Sequence, residues 1–314
     1  MSEKIIILCP VFNDNTSLSL LFDELDTVLP EFAETTFSIL VIDDGSSQPF
    51  VISPRAAYSI NILHLRRNLG HQKAIATGLG YIKDHLACDK VLIMDCDGED
   101  RPEDAMKLLT ASLANPGHIV FGQRQSRQEG QRFVFFYILY KMMFSILTGR
   151  RISFGHFLVM PVSLLEKIVF FSEIWNHIPG GIIKSGLPYM AVETHRGKRF
   201  AERSKMNFTA LLLHGFGAIA VFIDVIASRL LIFSIAMIGI SAVTILIIIG
   251  IRAFTDLAIP GWASTVVSSL LIVLLQGFLL SLFTIFLYLS SQSQRKFIPA
   301  HHYHDYTGSF ETIK

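Results

Sequence analysis

The stretch that decides the fold is VLIMDCDGED, residues 91–100. Its first four residues are apolar, as in a buried strand, and the next six include four carboxylic acids, Asp95, Asp97, Glu99 and Asp100. Such crowded negative charge favours a bound cation. A site with so few oxygen donors from the protein suits Mg²⁺ or Mn²⁺ shared with a diphosphate better than it suits a Ca²⁺ ion enclosed by protein ligands. The spacing also lacks the glycine and terminal glutamate positions of a calcium loop. The alternative is a solvated acidic turn before a helix that begins at Pro102.

Short apolar runs and helical patterns alternate along the first half of the chain. The runs are Ile5–Cys9, Phe37–Ile42, Ile60–Leu65 and Val91–Met94. The helical patterns between and after them cover 17–29, 71–83 and 102–113. This βαβ series predicts an α/β domain with a mainly parallel sheet. Because ligands bind at the carboxyl ends of such strands, the polar residues that follow the four runs are predicted to form one site.

The composition indicates that part of the chain lies in a membrane. Of its 314 residues, 51% are hydrophobic and 17% are charged, whereas soluble domains carry about a quarter charged residues. The net charge of +1 argues against a nucleic-acid partner held by bulk phosphate attraction. Cys9, Cys88 and Cys96 are too few and too scattered for a disulfide framework or a four-ligand zinc site, and they are predicted to be buried, in a reducing compartment.

Two apolar runs near the C-terminal end are long enough to span a bilayer, which takes about 20 residues. They are Leu230–Ile251 and Val266–Leu289. Arg229 precedes the pair, Arg295 and Lys296 follow it, and basic flanks lie on the cytoplasmic side. The apolar run near the start is too short for a signal peptide. We therefore expect a multi-pass protein of the cytoplasmic membrane with its N-terminal domain and both termini in the cytoplasm.

These runs predict the order of the domains. A cytoplasmic domain covers 1–206, an interfacial amphipathic helix 207–228, two transmembrane helices 229–290 (230–251 and 266–289) and a cytoplasmic tail 291–314. The interfacial helix is preferred to a third span because His214 and Asp224 would be costly at bilayer depth. The histidines of the tail, His301, His302 and His304, are assigned no role, and the tail is interpreted as a disordered end.

In this order the loops resemble the GT-A domain of glycosyltransferase family 2. With the two C-terminal spans, the chain resembles the membrane-anchored polyprenyl-phosphate (dolichol-phosphate mannosyltransferase-like) sugar transferases. The elements that carry the resemblance are Asp43-Asp44-Gly45-Ser46 and Asp95-x-Asp97. The resemblance implies a GT-A, Rossmann-like domain, followed here by the interfacial helix and the transmembrane hairpin. It further implies an inverting transferase for cell-envelope glycan synthesis, with a nucleotide-diphosphate sugar as donor, a lipid phosphate as acceptor and Mg²⁺ or Mn²⁺ as cofactor.

The resemblance also implies roles for individual residues. The nucleotide pocket would contain Pro10, Phe12, Asp14, Asp43, Asp44, Arg66, Asn68, Gly70 and Asp95. Asp95, Asp97 and Glu99 would hold the metal, with Glu99 standing where the lipid-linked enzymes often have glutamine. Arg124 and Lys205 would approach phosphate. The basic stretch 196–205 is interpreted as a positive-inside flank, a phosphate site, or both.

One position departs from the family pattern. These transferases tend to carry Asp where this chain has His156. If the acceptor is a polyprenyl phosphate, its oxygen is already anionic and no strong base is needed. If the acceptor is instead the hydroxyl of a glycan, a base is needed, and Asp100 or His156 is the candidate.

Two other classes of function stay open. The first is a non-catalytic pseudo-enzyme that binds nucleotide sugars or partners and organises an envelope assembly. The second is a transporter, which is disfavoured because one hairpin is too small to form a pathway alone and carries no charge pair at its midplane. A homo-oligomer would remove the objection of size, so oligomerisation stays open.

Overall fold

The computed structural model describes residues 2–32, 34–124, 141–150, 154–200, 215–255, 261–293 and 296–313. The chain divides into two compact units. The first consists of Met1–Ile138, Arg151–Val221 and Phe297–Lys314, and the second of Leu139–Arg150 and Phe222–Lys296. The predicted Lys205 and the first eight residues of the predicted interfacial helix, 207–214, lie outside the described residues.

The described residues of the first unit form one mixed sheet of eight strands. The strands are β1 (Glu3–Val11), β2 (Thr35–Asp43), β3 (Ser59–Leu65), β4 (Lys90–Ile93), β5 (Ile119–Arg124), β6 (Leu158–Pro161), β7 (Tyr189–Thr194) and β8 (Thr307–Ile313). Their order across the sheet is β7-β5-β6-β4-β1-β2-β3-β8. Strands β1 to β4 run parallel to one another, as does the pair β5 and β7, whereas β6 and β8 are antiparallel to their neighbours. The predicted α/β class is confirmed.

Helices cover both faces of this sheet. They are α1 (Asn15–Val28), α2 (His71–His85), α3 (Pro102–Ala114), α4 (Val162–Ile168) and α5 (Ile178–Ser185), and α8 (Pro299–His302) lies near the C-terminal end. Alternate residues of β1 enter two separate cores, with Ile5 and Ile7 in one and Ile6 and Leu8 in the other, because successive side chains of a strand point to opposite faces. A sheet buried on both faces explains why its central strands are apolar throughout.

The register between β4 and β6 positions one functional residue. Ile93 pairs with Leu158 in this antiparallel ladder. Two residues further on, Asp95 therefore stands opposite His156. The polar residues that follow β4 and those that precede β6 consequently meet at the same edge of the sheet.

The C-terminal segment returns to the first unit as an edge strand. β8 pairs with β3. The main-chain oxygen of Thr307 accepts a hydrogen bond from Arg66 Nε at 2.9 Å, and the carboxylate of Glu311 lies 3.2 Å from His64 Nε2. Tyr303 is buried and its hydroxyl lies 2.9 Å from His85 Nε2. The interpretation of this tail as a disordered end is wrong for residues 296–313, because their partners are supplied by β3 and α2, far away in the sequence.

Removing β8 is expected to destabilise the first unit. A chain that ends at Asp305 loses the β3–β8 hydrogen bonds, each worth about 0.5–1.5 kcal/mol net, so we expect a loss of about 3 kcal/mol in the free energy of unfolding. Chemical unfolding of the full-length and shortened proteins in detergent measures it. Thr312→Ala, which removes only the exposed hydrogen bond from Thr312 to Asn61, is the control and should cost less than about 1 kcal/mol. Equal stability of the full-length and shortened chains would contradict the edge-strand role.

Two long apolar helices make up most of the second unit. They are α6 (Ile223–Phe254) and α7 (Trp262–Ser293), and both are long and apolar enough to cross a membrane. The two predicted spans lie inside these helices. α6 begins seven residues before Leu230, so its first turns cover the end of the predicted interfacial segment. Ser234 and Ser281 pack between the two helices, with their hydroxyl oxygens 2.5 Å apart. Small polar residues at such a contact are typical of helices that associate in lipid.

Candidate active site

The acidic loop, residues 95–100, folds back on itself between β4 and α3. The carboxylate of Asp100 accepts a hydrogen bond from the main-chain nitrogen of Asp95 at 3.1 Å, and that of Asp97 accepts one from the nitrogen of Glu99 at 3.0 Å. Gly98 has a φ of +85°, which allows the sharp turn. Burial raises the pKa of Asp97 to about 6, and the charge of Asp95 adds to this effect. Two of the four carboxylates of the loop, those of Asp97 and Asp100, are therefore bonded to the main chain of the loop itself.

Two histidines converge on Asp95. His156 Nε2 lies 3.0 Å from one carboxylate oxygen, and His71 Nε2 lies 3.4 Å from the other. The two Nε2 atoms are 3.0 Å apart. Burial alone would raise the pKa of Asp95, but the nearby histidines hold it well below its usual range. Burial likewise opposes the charged form of His156, but Asp95 outweighs burial and the pKa of His156 is raised.

His71 was not among the sequence-predicted site residues. It is the first residue of α2 and directly follows Gly70, which has a φ of +90°. The sequence feature that could have identified His71 as a site residue is its position after the carboxyl end of β3. A single histidine at the start of a helix does not by itself indicate a site, however, and only the β4–β6 register brings His156 to the same place.

Three arginines surround Glu99 and form what we call the arginine cluster, Arg124, Arg196 and Arg199. One oxygen of Glu99 lies 3.0 Å from Arg124, and the other is bonded to Arg196 at 2.6 Å and to Arg199. The side chain of Glu99 is only 7% exposed. Both of its oxygens are therefore committed to guanidinium groups, which compete with the metal contact that the sequence predicted for Glu99.

The cluster also reaches the two neighbouring carboxylates. Arg124 lies 2.9 Å from Asp100, and Arg199 lies 3.3 Å from Asp97. Burial and the charge of Asp95 raise the pKa of Asp100, although Arg124 opposes this. Since Asp100 accepts from Arg124 with one oxygen and from the Asp95 nitrogen with the other, both of its oxygens are engaged.

Residues 195–200 bring two of these arginines to the loop. Arg196 forms a β-bridge with Asp100, and the main-chain nitrogen of Gly197 donates to the main-chain oxygen of Glu99 at 2.9 Å. A Cβ atom at Gly197 would lie 2.0 Å from the main-chain oxygen of Gly98, so only glycine fits. The beginning of the predicted basic stretch therefore lies along the acidic loop, whereas its Lys205 falls outside the described residues.

The Asp43–Ser46 element organises the neighbouring loop at the same edge of the sheet. Asp44 accepts hydrogen bonds from the main-chain nitrogens of Leu69 at 2.7 Å and Gly70 at 2.9 Å. Asp43 accepts from the nitrogen of Ser46 at 2.8 Å and contacts His64 Nδ1 at 2.7 Å.

Gly45 allows a close approach between this element and the third loop. Its φ is +76°, and a Cβ atom there would lie 2.7 Å from the nitrogen of Asn68. The predicted nucleotide-pocket residues lie in, or shortly after, the ends of the four adjacent parallel strands β1 to β4, at one edge of the sheet. These residues are Pro10, Phe12, Asp14, Asp43, Asp44, Arg66, Asn68, Gly70 and Asp95.

Asp44 should make stability depend on pH. Burial raises the pKa of Asp44 to about 6, against hydrogen bonds that lower it. The folded state then binds a proton more tightly than the unfolded state, so the contribution of Asp44 to stability falls as pH rises from about 4 to 6. Asp44→Asn lacks this titration. We expect the variant to gain up to about 3 kcal/mol relative to the wild type between pH 4 and 7. Chemical unfolding of both proteins across this range measures it, and a pH-independent difference would contradict the assignment.

The chain matches a known protein family, and it is similar to proteins of that kind in sequence and to a solved structure in fold. The model of the family "Glycosyl transferase family 2" matches residues 7–169, which is more than half of the chain. The chain is 25% identical over 278 residues to the uncharacterized glycosyltransferase YkcC of Bacillus subtilis (strain 168), covering 84% of this chain and 82% of that protein. It is 32% identical over 133 residues to an undecaprenyl-phosphate 4-deoxy-4-formamido-L-arabinose transferase of Erwinia tasmaniensis, covering 40% of this chain and 39% of that protein.

A solved structure shares the fold. The glucosyl-3-phosphoglycerate synthase of Mycobacterium tuberculosis, crystallised with Mn²⁺, uridine-diphosphate-glucose and phosphoglyceric acid, superposes with a TM-score of 0.51. The match covers 71% of this chain and 80% of that one, at 16% identity. At this identity the likeness concerns the fold alone, and it agrees with the GT-A arrangement expected from the sequence.

Proposed function

Since this chain belongs to glycosyl transferase family 2, we propose that it moves a sugar from a nucleotide-diphosphate sugar to a lipid phosphate such as a polyprenyl phosphate. The observation that carries the proposal is the acidic loop lying against the arginine cluster at the carboxyl edge of the sheet. Cell-envelope glycan synthesis is the corresponding process.

The site suits the binding of a diphosphate. Arginine forms paired hydrogen bonds with phosphate oxygens, and the contacts with Glu99 hold Arg124, Arg196 and Arg199 in one place. Asp95 and Asp97 are the residues that would hold a divalent cation. Burial and, after it, the charge of Asp95 raise the pKa of Asp97, and a cation held between the two carboxylates would compensate both negative charges. The bound cation would supply positive charge that stabilises the departing diphosphate.

The proposed reaction is a single displacement with inversion. An oxygen of the acceptor phosphate attacks the anomeric carbon, and the bond from that carbon to the β-phosphate oxygen breaks. The electron pair leaves with the nucleoside diphosphate, near the arginine cluster. The residues at the ends of β1, β2 and β3 would bind the base and ribose.

The state of the candidate bases favours a phosphate acceptor over a glycan hydroxyl. A hydroxyl must lose its proton to a base within hydrogen-bond reach. Both oxygens of Asp100 are engaged within the protein, and His156 contacts Asp95. A phosphate oxygen that is already anionic needs neither residue. The name of the Erwinia relative, an undecaprenyl-phosphate transferase, also supports a lipid-phosphate acceptor.

We further propose that the chain crosses the cytoplasmic membrane twice, with the catalytic domain and both termini in the cytoplasm. α6 and α7 are the two candidate spans among the described residues. Residues before and after them, in β3 and β8, pair in one sheet, so the chain must return to the side from which it entered. This supports an even number of spans and argues against a third span.

A transfer assay tests the proposal. The purified full-length protein in detergent is given a panel of nucleotide-diphosphate sugars, a polyprenyl phosphate, and Mn²⁺ or Mg²⁺, and the lipids are analysed by mass spectrometry. We expect one donor to yield a glycosylated lipid phosphate together with an equal amount of nucleoside diphosphate. The matched polyprenol without phosphate should yield no product. Tight binding of nucleotide sugars with no turnover would instead support the non-catalytic alternative.

A further inference from the structure

Three ligand atoms from three separate elements meet at one point of the site. They are Nε2 of His71, at the start of α2, Nε2 of His156, before β6, and the carboxylate of Asp95, after β4. The contacts are 3.0 Å between the two nitrogens, 3.0 Å from His156 to Asp95 and 3.4 Å from His71 to Asp95. All three side chains are partly buried rather than spread over the surface.

Hydrogen bonds among these three groups cannot explain all three of the short contacts. Each Nε2 atom carries at most one proton, yet each faces both the other nitrogen and an oxygen of Asp95. If both nitrogens are protonated, the two N–H groups oppose each other across 3.0 Å. If His156 alone donates to Asp95, the 3.4 Å contact between Nε2 of His71 and the other carboxylate oxygen carries no proton. A cation among the three atoms satisfies all of them together.

The separations match those of ligands that share one metal ion. Imidazole nitrogens and carboxylate oxygens bind transition metals at about 2.0–2.2 Å. Two such ligands lie about 3.0 Å apart when the angle at the metal is a right angle, and about 3.4 Å apart when it is tetrahedral. The distances within the cluster are 3.0, 3.0 and 3.4 Å.

We propose that His71 and His156 join Asp95 as protein ligands of the divalent cation. This inference rests on the proposed function, because it names the ligands of the cation used there. Glu99 is held by the arginine cluster, so the two imidazoles replace it in the donor set, and Asp97 and the diphosphate supply further oxygens. Imidazole nitrogen suits transition metals, whereas Mg²⁺ prefers oxygen ligands. The site should therefore select Mn²⁺ or Co²⁺ over Mg²⁺.

Metal binding without substrate tests the inference. The full-length protein in detergent is stripped with a chelator and titrated with Co²⁺ alone, followed by calorimetry and by visible absorption. We expect His71→Ala and His156→Ala each to weaken Co²⁺ binding at least tenfold. His118→Ala, at an exposed histidine before β5, is the matched control and should bind as the wild type does.

Pulsed electron paramagnetic resonance of the Mn²⁺-loaded wild type gives a readout that needs no variant to fold. We expect nitrogen couplings from two imidazoles. Ion binding without nitrogen coupling and unchanged in both histidine variants would overturn the inference while leaving the proposed function standing. Failure of the wild type to bind Co²⁺ or Mn²⁺, with or without uridine diphosphate, would also overturn it. Nitrogen coupling in a protein that transfers no sugar would instead count against the proposed function.

Discussion

Replacing Asp97 with asparagine is expected to lower the rate of sugar transfer at least about a thousandfold, because it removes a charge that holds the cation beside the leaving diphosphate. The substitution preserves size, and the amide oxygen of asparagine can still accept the hydrogen bond from the Glu99 nitrogen. A global change in structure is therefore not expected. Initial rates of lipid-linked sugar formation at saturating donor measure the effect.

Glu103→Gln is the control for that measurement. Glu103 lies in the first turn of α3, close in sequence to the acidic loop, but it is exposed and pairs only loosely with Arg101 at 3.2 Å. Its loss should leave the rate within about twofold, since exposed ion pairs contribute little. Retention of more than a tenth of the wild-type rate by Asp97→Asn would contradict the role given to Asp97.

Replacing Glu99 with glutamine is expected to cost about 3 kcal/mol in the free energy of unfolding. The glutamate is buried and bonded to three guanidinium groups, and removing one partner of a buried ion pair leaves charge without compensation. Glutamine keeps the shape and one acceptor oxygen but loses the charge. Chemical unfolding in detergent, monitored by circular dichroism, measures the loss.

The same Glu103→Gln variant is the stability control, because the Arg101–Glu103 pair is exposed on both sides and should contribute at most about 1 kcal/mol. An equal effect of the two substitutions would show that the arginine cluster does not depend on the charge of Glu99. The result is informative for the family as well, since the lipid-linked enzymes that this chain resembles often have glutamine at this position.

The local parts of the fold could be predicted from the sequence. Strands β1 to β4 and helices α1 to α3 follow from apolar runs and from helical periodicity within single segments. The positions of β6 and β8 could not be predicted, because each depends on pairing with a strand distant in the sequence. β8 has a mostly exposed, polar sequence that gives little sign of a strand by itself.

The same distinction applies to the site. The crowded carboxylates at 95–100 are visible in one short stretch, and their position after a strand predicts the edge on which they lie. The partners of Glu99 come instead from β5 and from residues 196–199, about 25 and 100 positions away. His156 comes to lie beside Asp95 through the β4–β6 register, and His71 reaches the same place from the start of α2. Chemistry that depends on such distant contacts leaves no local pattern.

Thermal unfolding of the full-length protein with a nucleoside diphosphate, in the presence and absence of a divalent cation, tests the central claim most directly. If the acidic loop binds the diphosphate through a cation, uridine or guanosine diphosphate should raise the unfolding temperature with Mn²⁺ and leave it unchanged in chelator. At a hundredfold excess over the dissociation constant, the stabilisation should be about 2.7 kcal/mol. Equal stabilisation in chelator would contradict the claim that a cation links Asp95 and Asp97 to the donor.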